Sequence, residues 1–268
     1  MTTHLVISNY NADPRYLLNF TNSYTIFDSS DIKYFRSVVE SIPGDIRFTE
    51  NSGHNLLHFL DYIIENYDSL PSKLAFIKGN IVPRHGTLEF IESQLSKNFF
   101  SFLWNDPALR DKKDVQYLLK PGSFLEINNS WYVWDVPHRF FVSLDQFLEF
   151  IFDDYRHLEY VSFAPGGCYL LEASRIEINP LSFYEGIRKI VGYSIRPAEA
   201  FMLERALPLI FDRTHQLKSY CSDKNLFLQE IDKLPNLSNA KRIKAKLNFG
   251  NKIRWKLIEM LSKRIKVN

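Results

Sequence analysis

The first eighty residues alternate short apolar runs with stretches of helical period, and that alternation limits the folds open to the chain. His4 to Ser8 (HLVIS) is an apolar run closed by polar Asn9-Tyr10-Asn11, which predicts a buried first strand and then a loop. Asp13-Pro14 is a helix-start signal, with Tyr16, Leu17 and Phe20 as the apolar face behind it. Tyr24 to Phe27 predicts a second strand, and Asp28-Ser29-Ser30 can cap a helix that reaches Ser41. Asp45 to Phe48, after Pro43-Gly44, predicts a short third strand. Leu56, Leu57, Leu60, Ile63, Ile64 and Tyr67 follow the i, i+3, i+4, i+7 spacing of a core-facing helix. Lys73 to Ile77 then predicts a central strand that turns at Gly79-Asn80. This order belongs to an α/β fold with a mostly parallel central sheet flanked by helices. Ligands in such sheets bind beyond the carboxyl ends of the strands, so Asn9, Tyr10, Asp28, Lys78, Gly79 and Asn80 are expected along one crevice.

The second half of the chain has fewer strands in it. Helices are predicted near Leu88 to Leu95, over Leu144 to Phe152, after Pro180 and from Arg196-Pro197 through Phe211. Trp131 to Trp134 predicts a strand, and so does Cys168 to Leu171 after the turn Ala164-Pro165-Gly166-Gly167. No repeat or flexible linker interrupts the chain before about residue 215. The expected organisation is an α/β domain over 1–215 and a basic C-terminal helical extension over 216–268.

That extension concentrates the charge. The chain carries a net +2, but residues 241–268 hold ten basic side chains and one acid, a net +9. The other 240 residues hold 23 basic against 30 acidic groups, a net −7. Ile253, Leu257, Leu261 and Ile265 recur every four residues, so a helix here is amphipathic and cationic. Such a helix can lie on an anionic bilayer or pack its apolar stripe on the domain. Nucleic acid is not an expected partner, because no aromatic stacking platform or binding motif accompanies the charge.

Several chemistries are excluded or disfavoured. Two cysteines cannot make a disulfide framework, which fits a reducing compartment, and they lie 53 residues apart, which is not a zinc pattern. No run approaches the length of a membrane span, and the N-terminus has no leader pattern, so the expected location is cytoplasmic. There is no G-x-G-x-x-G, Walker A or G-x-S-x-G sequence. His54-Asn55-Leu56-Leu57-His58 resembles H-E-x-x-H without its glutamate, and with Asp61 and Glu65 continuing the same face it reads as a solvated helix face, a metal-binding face being the alternative. Cys168 reads as a buried strand residue rather than a nucleophile. Glu204 sits mid-way along an apolar helix, so it must face solvent, a charged partner or a site. Its neighbour Arg205 is expected on a different face.

Three blocks carry a resemblance. Val6-Ile7-Ser8-Asn9-Tyr10-Asn11 opens the chain. Asn51-Ser52-Gly53-His54-Asn55 precedes Asn66-Tyr67-Asp68-Ser69-Leu70-Pro71 and Phe76-Ile77-Lys78-Gly79. Gly166-Gly167-Cys168-Tyr169, Arg175-Ile176 and Pro180-Leu181-Ser182-Phe183-Tyr184 lead to Leu203-Glu204-Arg205-Ala206-Leu207-Pro208-Leu209-Ile210-Phe211. Together they resemble a family of fungal and bacterial domains of unknown function, patchily over residues 4–212. That family is in turn similar to GT-A glycosyltransferases, whose domain is Rossmann-like. This chain departs from the family in His54-Asn55 for Arg-Glu, Lys78 for Gln and Leu207 for Trp, and it has no D-x-D after the strand at Leu74 to Ile77.

The resemblance implies a transferase that moves a sugar from a nucleotide-sugar donor to a glycan or lipid-linked acceptor in bacterial surface polysaccharide synthesis. Glu204 would be the base or would orient the acceptor. Asn9, Tyr10, Asp28, Lys78, Gly79 and Asn80 would bind the donor. Arg84, His85, Gly166, Gly167 and Arg205 would contact the acceptor or the leaving group. Manganese or magnesium is the cofactor such an enzyme would use, although the missing D-x-D leans the reading towards fixed positive charge instead. The cationic tail would then hold the enzyme peripherally at the inner face of the membrane. The competing class is a non-catalytic glycan- or partner-binding protein on a degenerate transferase fold.

Overall fold

The computed structural model describes residues 2–97, 100–105, 123–128, 132, 136–212 and 214–237. Its centre is a six-stranded sheet in the order β3-β2-β1-β4-β8-β5. The strands are β1 (His4–Asn9), β2 (Tyr24–Asp28), β3 (Asp45–Phe48), β4 (Lys73–Lys78), β5 (Ser101–Phe102) and β8 (Tyr169–Glu172). β3, β2, β1 and β4 run parallel, and β8 lies antiparallel to both β4 and β5. A separate antiparallel pair joins β6 (Phe124–Ile127) to β7 (Tyr160–Phe163).

The central strands explain the layering. Leu5, Val6 and Ile7 of β1 and Leu74, Ala75, Phe76 and Ile77 of β4 are buried on both faces, as a parallel sheet covered on both sides requires. Side chains alternate across the sheet, so Val6, Leu74 and Phe76 enter one apolar cluster while Leu5, Ile7, Ala75 and Ile77 enter the other. The larger cluster is covered by α2 (His54–Asn66), α5 (Leu144–Ile151), α7 (Leu181–Val191) and α8 (Ala198–Asp212). The smaller is covered by the 3₁₀ turn Arg15–Phe20, α1 (Lys33–Glu40) and α4 (Leu88–Leu95). Two four-residue helices, α3 (Ile81–Arg84) and α6 (Ala173–Ile176), follow β4 and β8. No helix among the described residues is long and apolar enough to cross a membrane.

The sequence periodicity matches β1 to β4, β8 and most of the helices, while β5, β6 and β7 are not expected from it and α1 starts after Ile32 with no side-chain cap from Asp28-Ser29-Ser30. The predicted helix after Asp13-Pro14 is the short 3₁₀ turn, and β8, for which the sequence implies no direction, runs against its neighbour in the otherwise mostly parallel sheet. The strand predicted at 131–134 lies outside the described residues apart from Tyr132, which is buried. Residues 214–237 pack on the same core as the sheet: α9 (Lys224–Lys233) buries Phe227 and Ile231. Gly186 of α7 makes that contact possible, since a Cβ there would lie 2.2 Å from the Phe227 ring. The cationic segment 241–268 lies outside the described residues.

One buried carboxylate ties the α8 end of this layer. Glu199 is fully buried, and its Oε1 accepts from the backbone N–H groups of Arg139, Phe140 and Phe141 at 2.9, 2.6 and 3.2 Å. Its Oε2 accepts from the Tyr193 hydroxyl at 2.5 Å. Removing the carboxylate strands several donors at once, and each buried unsatisfied group costs about 1–3 kcal/mol. Glu199→Ala is therefore expected to destabilise the fold by roughly 3 kcal/mol or more, and Glu199→Gln by clearly less, as measured by urea unfolding of the three proteins.

Candidate functional site

The chain leaves β1 to one side for β2 and β3, then returns to its other side as β4. The carboxyl ends of β1 and β4 therefore flank the point where the strand order reverses, the place where open α/β sheets bind ligands. Ser8 of β1 and Lys78 of β4 are register partners there, and both line a cavity of about 280 Å³. Tyr10 and Ser29 reach its wall from the loops after β1 and β2, and Asn80 and Arg84 from the start and end of α3. His54, Asn55 and His58 face it from the first turns of α2, and Arg196 from the segment before α8.

The start of α2 is held in an unusual backbone. Gly53 and His54 both have left-handed φ values, 60° and 57°. Such a conformation costs a residue with a Cβ about 1–3 kcal/mol. Two backbone bonds hold it: Gly53 N–H donates to the Ser194 carbonyl at 2.7 Å and His54 N–H to the Ile195 carbonyl at 3.1 Å. The same bonds bring the Ile195-Arg196 segment to the cavity.

The H-N-L-L-H sequence is not a solvated face. Asn55 and His58 are buried, and all three polar residues of this stretch turn into the cavity. The reason is the position of α2, whose first turns meet the ends of the strands instead of water. Only further along does that helix reach solvent, where Asp61 pairs with Arg188 and Glu65 with Arg47. His58 is bonded at both nitrogens, Nδ1 to Ser8 Oγ at 2.7 Å and Nε2 to Thr49 Oγ1 at 2.8 Å. Burial lowers its pKa to about 4. His54 is lowered to about 3, first by burial and then by the positive charges of Lys78, Arg196 and Arg84. Both imidazoles are neutral at neutral pH.

Lys78, Arg84 and Arg196 are the three cations of the cavity wall, and no carboxylate lines it among the described residues. None of the three makes an ion pair with a described carboxylate. Burial, and after it the charge of Arg84, lowers the pKa of Lys78. Asn55 donates to the Gly166 carbonyl, while its own carbonyl oxygen is buried without a hydrogen-bond partner.

Glu204 stands behind this wall, not on it. It is buried, its Oε1 accepts from the Gly166 N–H and its Oε2 from Arg205 Nη1 at 2.9 Å. Burial raises its pKa, against the opposing pull of Arg205, the Gly166 N–H and Lys78. Gly166 and Gly167 form the turn between β7 and β8 with left-handed φ values of 82° and 64°. A Cβ on Gly166 would lie 2.6 Å from Lys78 Cδ, so the glycine lets the lysine stem pass. Glu204, the Gly166 backbone and Asn55 thus form a continuous bridge from α8 to the cavity. Arg205, expected on another face from Glu204, curls back onto it instead. Its guanidinium lies 4.2 Å from the Tyr132 ring and 4.3 Å from the Phe163 ring, and Nε donates to Glu126 at 2.7 Å. The adjacent positions meet because both charges are buried and a long guanidinium can reach back.

The remaining predicted residues shape the strand ends. Asn9 and Asp28 are fully buried register partners, joined by a 2.8 Å bond from Asn9 Nδ2 to Asp28 Oδ1. Gly79 has to be glycine, because a Cβ would fall 1.9 Å from Asn9 Oδ1. Tyr10 donates to Asp31 at 2.9 Å at the rim. His85 faces away from the cavity and takes a 3.0 Å bond from the Trp104 indole. Cys168 is fully buried, and burial pushes its thiol up to about 12. Ser8, His54, His58 and Arg196 also line the cavity, although none of them is among the residues expected to bind there. The only signal for Arg196 was its position before a helix-opening proline.

These features define an α/β protein with a parallel β3-β2-β1-β4 arrangement and a cation-lined cavity at its switch point. No family model, curated protein or solved structure matches the chain.

The buried neutral histidines predict an acid response. Their folded pKa values lie below the usual 6.5, so between about pH 4 and 6.5 the unfolded chain binds more protons. Their stabilising contribution is complete above pH 6.5 and is lost as pH falls towards 4. Each histidine adds a slope of up to ~1.4 kcal/mol per pH unit. His58→Gln is expected to flatten the pH dependence of the unfolding free energy over that window, while an unchanged slope would show that His58 is not buried neutral.

Proposed function

We propose that the protein is a glycosyltransferase that moves a sugar from a nucleotide-sugar donor to a glycan or lipid-linked acceptor, in the synthesis of bacterial surface polysaccharide. The observation that carries this reading is the cavity at the β1/β4 switch point, whose wall holds three cations and no described carboxylate. In glycosyl transfer, the bond from the anomeric carbon to the diphosphate breaks and a bond to the acceptor oxygen forms. Negative charge builds on the departing nucleoside diphosphate, and fixed cations beside it stabilise the transition state. The acceptor hydroxyl gives its proton to a base; His58 is bonded at both nitrogens, so His54 is the wall imidazole left for that role, and its proton affinity rises from a pKa of about 3 once a bound diphosphate neutralises the cations beside it. The unpartnered Asn55 carbonyl suits a sugar hydroxyl.

A manganese or magnesium ion does not fit this wall. Hard divalent cations need oxygen ligands, carboxylates above all, and the described lining offers three positive groups instead.

Glu204 enters this reading as a positioning residue that fixes the Gly166 turn and, through it, Asn55 and the Lys78 stem. Its sealed carboxylate is also the observation that favours the second reading, a non-catalytic glycan- or partner-binding protein with the same cavity.

Two measurements test the proposal. A nucleotide-sugar at 100 times its dissociation constant should add about 2.7 kcal/mol of stability. A thermal-shift screen of nucleotide-sugars is expected to show such a binder, and Lys78→Ala should abolish its shift; a flat screen would contradict the transferase reading. A binder that no acceptor consumes would instead support the binding-protein reading. For Glu204, Gln retains an acceptor for the Gly166 N–H and is expected to keep turnover within a few-fold, whereas Ala lowers it. A loss of roughly 10²-fold in Glu204→Gln would restore this residue as the general base.

A further inference from the structure

We propose that the switch-point cavity binds a diphosphate group through fixed cations alone, Lys78, Arg84 and Arg196, with the first turn of α2 completing the site and no divalent metal taking part. This deepens the transferase reading and rests on it for the molecule that carries the diphosphate.

The argument begins with convergence. Lys78 comes from the end of β4, Arg84 from α3 and Arg196 from the segment bonded to the start of α2, and all three reach one cavity. Like charges gathered at one cavity repel one another, and a bound anion relieves that repulsion; the Glu204 carboxylate, behind the wall, pulls on Lys78 but makes no ion pair with it. Here no described carboxylate pairs with any of the three. Arg84 and Arg196 are exposed, so neither is needed to fill the core.

The second observation comes from α2. This 13-residue helix points its first turn at the same cavity, with His54 and Asn55 on the wall. A helix N-terminus carries partial positive charge and suits an anion. Asn55, buried and with its carbonyl oxygen unpartnered, is an acceptor for a hydroxyl of the molecule that carries the diphosphate, not for the phosphates themselves.

The charge count selects the ligand class. One phosphate or carboxylate leaves part of the positive charge uncompensated, whereas a diphosphate presents two linked anionic groups to guanidinium forks that favour bidentate contacts. The cavity, about 280 Å³, has room for both groups. A divalent ion would meet three like charges and is disfavoured by Coulomb repulsion.

The test uses the full chain and isothermal titration calorimetry. Pyrophosphate, uridine and guanosine diphosphates, farnesyl diphosphate and sulfate are each titrated in EDTA and again with manganese. Saturable binding of pyrophosphate in EDTA is expected, weakening as salt rises. Arg84→Ala and Arg196→Ala should each weaken it by roughly tenfold or more, the range of a charged hydrogen bond. Both positions are exposed, and the melting point without ligand checks that each variant folds. Arg84→Lys should recover part of the loss. In parallel, the His54 imidazole should titrate upward from about 3 when pyrophosphate is bound, because the neighbouring charges are then neutralised.

Binding only in manganese overturns the inference and leaves the transferase reading standing. Sulfate binding as tightly as pyrophosphate also overturns it. Metal-free pyrophosphate binding without preference for nucleotides supports the inference and removes the transferase reading. Farnesyl diphosphate binding tighter than either nucleotide supports a diphosphate site and assigns it to a lipid carrier instead of a sugar donor.

Discussion

The parallel pairing of β1 with β4 is the constraint on which the site depends. Parallel neighbours end on the same edge, so the pairing brings Ser8 beside Lys78 and the adjoining β2 brings Asp28 beside Asn9. The apolar middles of these strands are buried on both faces, which leaves their polar ends to gather at one edge. A one-residue slip of β4 would exchange the sets that enter the two apolar clusters, so burial itself holds the register. Lys78 is thereby placed by the core, and its position at the cavity follows from the packing of Leu74 to Ile77 in its own strand.

Around that edge the other cavity residues are set by backbone contacts. The left-handed pair Gly53-His54 bonds to Ser194 and Ile195 and brings Arg196 in. In the left-handed pair Gly166-Gly167, Gly166 lets Lys78 pass and Gly167 lies close against Leu56, and Glu204 holds the turn from behind. Glu204 and Arg205 thus belong to a buried network with Glu126, Tyr132 and Phe163 that fixes the turn, while the open cations stand on the other side of the same turn. Buried charges that are paired and bonded hold geometry, and the unpaired ones at the cavity are left to act on a ligand.

Much of the fold was legible because burial imposes period. The helix over Leu88 to Leu95, the strands β1 to β4 and the helix after Pro180 all follow from spacing alone. The direction of β8 was not legible, since a short apolar run reads the same whichever way it pairs. The switch-point crevice was legible from strand order, and Tyr10, Lys78, Asn80 and Arg84 are on its wall. His85 and Arg205 were out of reach because their directions depend on tertiary partners, the Trp104 indole and the Glu126 carboxylate. His54 and His58 looked like a wet helix face because nothing local says that the helix begins against the strand ends. Arg196 is brought in by backbone bonds to α2 across 140 residues of chain, which no local pattern encodes.

The central claim is that the strand ends and these cations form one binding site. A crystal structure of the full chain grown with a nucleoside diphosphate and EDTA tests it most directly. The account predicts the two phosphates within hydrogen-bond distance of Lys78, Arg84 and Arg196, with the nucleoside along the ends of β1 and β2. Phosphates bound elsewhere on the surface, with that cavity filled only by water, would contradict it.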